Sequence, residues 1–80
     1  MNAVLLHSRR IHQLYAKIHE AGVIHHDVSW RHVLRLGPKL SLIDFERAIP
    51  RGQLSGRTWA AMCAQEMSRV DAMLMGHEGF

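Results

Sequence analysis

"VIHHDVSWRHVLRL", residues 23–36, holds three histidines, an aspartate, a tryptophan and two arginines between short runs of β-branched and aliphatic residues. Such a polar knot suits a catalytic loop, a metal site or a decorated turn. The sequence on either side separates these readings.

Upstream, residues 3–21 show helical periodicity. Val4, Ile11, Leu14, Tyr15 and Ile18 recur at three- and four-residue steps, with Arg9, Arg10, Gln13, Lys17 and Glu20 between them. Gly22 follows and supplies a left-handed stop. His12 and His19 lie near the apolar stripe and read as stripe-edge residues rather than ligands. "VIH" then suggests a brief strand feeding the knot. Downstream, "HVLRL" and "KLSLIDF" are strand-like runs split by Gly37 and Pro38, which points to a hairpin. In the second run Leu40 and Leu42 alternate with Ser41 and Ile43. "ERAIPRGQLSGR", with Pro50, Gly52 and Gly56, reads as an exposed loop. "TWAAMCAQEMSRVDAMLM" reads as a second helix, with Trp59, Met62, Cys63, Met67, Val70 and Leu74 on one face. Gln65, Ser68, Arg69 and Asp71 fall on the other. The methionine-rich stripe is core rather than a cofactor box. The expected class is α+β, in the order helix, strand, polar loop, β-hairpin, loop, helix.

The chain has 80 residues, one domain or less, and a chain of this size buries only roughly 60% of its unfolded surface. An apolar content of 48% is well above that of a disordered tail. The net charge of +3 comes from scattered arginines with no interleaved aromatics, which argues for a solvated surface and against a nucleic-acid face. Arginine also suits phosphate groups on a small substrate. Cys63 is alone, so no intrachain disulfide or cysteine-based zinc site is expected. "MNAVLLHSRR" lacks the order of a signal peptide, and no apolar run reaches the roughly 20 residues of a membrane span. The expected compartment is cytoplasm or nucleus, and no membrane partner is expected.

Chemistry concentrates on two acids. Asp27 follows the first short strand, and Asp44 stands where the second hairpin strand is expected to end. Acids at the ends of neighbouring strands converge on one cleft. Such a pair suits phosphoryl transfer, one carboxylate orienting the attacking hydroxyl and the other holding a metal against the phosphates. Alternatively, each acid caps a turn. His25, His26, Asp27 and His32 suggest a further alternative, a zinc or iron site. Against it, adjacent histidines on a strand point to opposite faces.

"HHDVSWRHVL" resembles the catalytic loop of the protein-kinase superfamily, H-R-D-L-x-x-x-N followed by apolar residues. "LSLIDFERA" resembles the strand and D-F-G segment after it, and "HEAGVIH" resembles the end of the helix that leads into the loop. The likeness runs from about residue 3 to residue 48. It implies a partial protein-kinase-like domain over residues 1–80, the catalytic core of the large lobe with the small lobe absent. It also implies that Asp27 accepts the substrate hydroxyl proton and that Asp44 binds Mg²⁺ on the nucleotide phosphates. His25 takes the place of the motif histidine, with a packing role, and Phe45 that of the aromatic whose position tracks the active state.

The departures are specific. His26 replaces the motif arginine, so control by a phosphorylated activation loop is not expected. Ser29 stands where protein kinases usually carry lysine. His32 occupies the second-metal asparagine position, and the chain's single asparagine is Asn2. Magnesium prefers hard oxygen ligands and imidazole suits softer metals, so Mn²⁺ is an alternative to Mg²⁺. Glu46 replaces the glycine after Phe45 and adds a third carboxylate as a possible metal ligand. "IDFE" also resembles choline and aminoglycoside kinases on the same fold.

No glycine-rich loop, strand lysine or A-P-E segment occurs in these residues. The resemblance therefore implies a truncated kinase-like domain of ATP-dependent phosphotransferase descent, with little or no ATP turnover expected of the 80 residues alone. One alternative is a non-catalytic pseudokinase remnant that docks a protein partner or a second copy through exposed lobe surface. Another is a fragment of a small-molecule kinase of the choline or aminoglycoside type.

Overall fold

Helix α1 (Ala3–Glu20) places its apolar stripe inward, so that Ile11 and Tyr15 are fully buried while Gln13 and Lys17 face solvent. Lys17 and His19 in its last turn complement the negative end of the helix dipole. Gly22, at φ 88°, ends the helix, and its amide donates to the His19 carbonyl at 3.0 Å. The computed structural model describes residues 3–76, with side chains over 7–76. Asn2 and the side chain of Val4 therefore lie outside the described part.

Strand β1 (Val23–Ile24) follows, then an irregular loop and a 3-10 turn at Trp30–His32. Strands β2 (Val33–Leu36) and β3 (Lys39–Leu42) form an antiparallel hairpin in which Val33 faces Leu42 and Leu36 faces Lys39. Gly37, at φ 59°, makes the reversal. Strand β4 (Ile49–Pro50) pairs antiparallel with β1, Ile24 opposite Ile49, and the Arg51 amide extends the pairing to the Gly22 carbonyl at 2.9 Å. Helix α2 (Gly56–Met75) completes the described chain.

The α+β order read from the sequence is the order found, with four local corrections. The segment expected as a plain loop contains β4 and a 3-10 turn at Arg51–Gln53. Proline is tolerated in β4 because this short pairing is an edge that does not need its amide. His32 closes a 3-10 turn instead of opening β2, because the Ser29 carbonyl accepts its amide at 3.1 Å. Strand β3 stops at Leu42, before the aspartate, since Asp44 at φ 61° cannot continue an extended ladder. Helix α2 starts at Gly56 rather than Thr58 because Ser55 caps it, its hydroxyl accepting the Thr58 amide at 3.1 Å.

One core joins these pieces: Ile11 and Tyr15 from α1, Val33 and Leu40 from the hairpin, and Val70 from α2. Leu14, Ile18, Val28, Trp30, Leu42 and Met67 pack around it. Val28 and Trp30 of the loop between β1 and β2 pack against this core, and Val33 at the far end of the loop belongs to it. Among the described residues, no helix is long and apolar enough to cross a membrane.

Candidate functional site

The loop after β1 is held from below by Glu66, a carboxylate only 4% exposed in the middle of α2. Its Oε1 accepts the His25 amide at 2.9 Å and its Oε2 the His26 amide at 2.7 Å. His19 of α1 donates from Nε2 to Oε1, also at 2.9 Å. A buried carboxylate demands such donors, because desolvation without them costs several kcal/mol (~1–3 or more). Glu66 therefore ties α1, α2 and the loop at one point. It also holds His26 in the left-handed region, at φ 67°, where the chain turns to present Asp27.

His25 is fully buried and packs 4.9 Å from the Phe45 ring, 5.4 Å from His32 and 6.0 Å from Tyr15. Its Nε2 lies 2.8 Å from the Ile43 carbonyl, which can only accept, so Nε2 carries the proton. That bond pins the backbone immediately before Asp44. The Nδ1 atom of His25 and the Tyr15 hydroxyl are both buried without a regular hydrogen-bond partner.

The hairpin and the loop together bring Asp27, His32 and Asp44 into one group, with a ligand-capable atom of each within 4.8 Å of the others. His32 is 3% exposed. Its Nδ1 is 2.8 Å from the backbone carbonyl of Asp27 and 3.8 Å from that residue's Oδ2. Its Nε2 is 3.0 Å from Asp44 Oδ2 and accepts from Arg31 Nε at 3.4 Å. The Ile43 amide donates to the His32 carbonyl at 2.9 Å, which ties this turn to the segment carrying Asp44. Asp27 is part-buried, while Asp44 opens to solvent.

Of the histidine-rich alternative set, only Asp27 and His32 offer ligand atoms to one group among the described residues. His26 points out to solvent, and His25 faces the core. Glu46, expected as a third carboxylate, is exposed and stands outside the group. Phe45 is half exposed beside His25. Burial and then the Glu66 charge push the Cys63 thiol pKa up, which lowers its thiolate fraction.

Glu66 is not singled out in the sequence reading, which takes His19 as a stripe-edge residue without a partner in α2. A signal for Glu66 exists: it lies four residues after Met62 and four before Val70, inside the apolar stripe of α2. An acid at a core position must have buried partners.

No curated protein and no solved structure matches the chain. Residues 6–72, however, match the Lipopolysaccharide kinase (Kdo/WaaP) family, and this match spans Asp27, His32, Asp44 and Glu66 alike. Kinase families in general work with ATP and a divalent metal, and the match gives the chain a kinase-like phosphotransferase origin. The chain belongs to the Kdo/WaaP lipopolysaccharide kinase family, within the protein-kinase-like superfamily.

Proposed function

We propose that this chain carries the catalytic segment of an ATP-dependent phosphotransferase whose acceptor is a saccharide hydroxyl. The convergence of Asp27, His32 and Asp44 within 4.8 Å is the observation that carries this reading. The family description supports a saccharide acceptor over the amino alcohol suggested by "IDFE".

Asp27 orients the attacking hydroxyl and accepts its proton as the new O–P bond forms and the bond from the γ-phosphorus to the β,γ-bridging oxygen breaks, with ADP leaving. Its main chain is fixed from two sides, through Glu66 on the preceding amides and through His32 on its own carbonyl. Asp44 and His32 are the residues that would hold a divalent metal, which supplies charge neutralisation on the phosphates when bound. Asp44 is kept in place by the His25 bond to the Ile43 carbonyl.

Transfer of labelled phosphate from ATP to a lipopolysaccharide acceptor tests the reading. The 80-residue chain should turn over slowly, because no glycine-rich loop or strand lysine is present to enclose the phosphates. Whatever transfer it shows should require a divalent metal and fall about 100-fold or more in Asp27→Asn. Transfer indifferent to Asp27 would reject the assignment.

A second reading, a docking module, is favoured by the apolar side chains left in solvent at Leu34, Leu36, Ile43 and Phe45. Concentration-dependent self-association in the absence of any transfer would favour it.

A further inference from the structure

We infer that His32 is a metal ligand through Nε2, and that the site therefore takes Mn²⁺ in preference to Mg²⁺. The inference rests on the phosphotransferase reading only for the place of the metal.

The two ring nitrogens of His32 have different neighbours. Nδ1 faces the carbonyl oxygen of Asp27 at 2.8 Å, and a carbonyl only accepts, so Nδ1 carries a proton. Nε2 is then the nitrogen left to bind a metal, with Arg31 Nε 3.4 Å away. A backbone carbonyl on the far nitrogen is the usual way a metal-binding histidine is oriented.

Nε2 meets the Asp44 Oδ2 atom at 3.0 Å, a hydrogen-bond distance that a ring proton fills in the absence of metal and that a divalent ion would take over. Their separation is also roughly that of two adjacent ligands on an octahedral ion with bonds of about 2.1 Å. Asp27 supplies a further oxygen within the same 4.8 Å group. The donor set is thus one imidazole nitrogen with carboxylate oxygens.

Mg²⁺ is served best by oxygen ligands and gives up its waters reluctantly. An imidazole in the position held by an amide oxygen in the kinase motif disfavours it. Mn²⁺ keeps the octahedral preference and the affinity for carboxylates, yet accepts nitrogen more readily. The ring is 3% exposed and held at both nitrogens, so it cannot swing aside to let water replace it.

Electron paramagnetic resonance with Mn²⁺ alone, on the full chain, tests this without nucleotide or acceptor. Bound Mn²⁺ should show ¹⁴N coupling from one imidazole, and Mg²⁺ should displace it only at about tenfold excess or more. In His32→Asn the coupling should vanish, and Mg²⁺ should compete at about equal concentration. Asp44→Asn, which keeps His32, should weaken Mn²⁺ binding and remove the coupled signal. Circular dichroism on each variant establishes that the fold persists. The inference is overturned if no Mn²⁺ binds, if the coupling survives in His32→Asn, or if Mg²⁺ competes equally on the native chain. Phosphate transfer supported by Mg²⁺ as well as by Mn²⁺, with no ¹⁴N coupling, would overturn the metal preference and leave the phosphotransferase reading standing.

Discussion

At the scale of single residues, Glu66 and Tyr15 make opposite demands on the interior. Glu66 satisfies three donors, so Glu66→Ala would strand two loop amides and the His19 ring in a dry site. A loss of about 3 kcal/mol or more is expected in urea unfolding. Tyr15 instead carries a buried hydroxyl with no regular partner. Burial, then the Glu66 charge, push its pKa from 10.0 up to about 12, partly offset by the approach of the Ser29 backbone. The folded state thus holds this proton more tightly than the unfolded chain. The resulting stability is fully present below the unfolded value, near pH 10, and is lost as pH rises through about 12. Unfolding free energy should fall by roughly 2–3 kcal/mol over that window. Tyr15→Phe should flatten this part of the profile and leave stability at neutral pH unchanged or higher, which a pH series of denaturant melts would read.

Elements differ in how plainly they can be read. α1, the hairpin and the end of α2 were legible because each carries a full period of apolar positions with glycine or proline between. Asp27 and Asp44 were legible because a motif fixes their spacing to those elements. β4 was not, since two residues, one of them proline, show no alternation, and only pairing with β1 makes them a strand. Glu66 escaped because a charged residue in a helix is ordinarily assigned to the wet face. Its role depends on contacts 40 and 41 residues away in the chain, which no local pattern encodes. Helix α2 begins two residues before the first residue of its apolar pattern because Ser55 caps it. Ser55→Ala should cost about 1 kcal/mol, seen as a lowered melting temperature with unchanged helix content below it.

On the scale of the whole molecule, stability is small and concentrated. A chain of 80 residues has on the order of 4–12 kcal/mol in hand. Ile11→Ala, at a fully buried position shared by both helices and the hairpin, should remove about 2–5 kcal/mol of it. Near the lower end of that range the variant would be largely unfolded at 25 °C by circular dichroism. Such a molecule also exposes Leu34 and Leu36 on one face of its hairpin, with Ile43 and Phe45 beyond. Replacing Leu36 by lysine should lower the weight-average mass in sedimentation at high concentration, with little change in melting temperature.

The backbone at His26 and Asp44 has a consequence for sequence variation. Both residues sit at positive φ, 67° and 61°, where a side chain other than that of asparagine, aspartate or histidine is poorly accommodated. The alphabet allowed at position 44 is therefore narrowed twice, once by conformation and once by charge. Asparagine meets the first requirement and fails the second, whereas glutamate fails the first. A library of substitutions at this position, sorted for folding, should be enriched in asparagine and glycine. Sorted for metal binding, the same library should return aspartate almost alone.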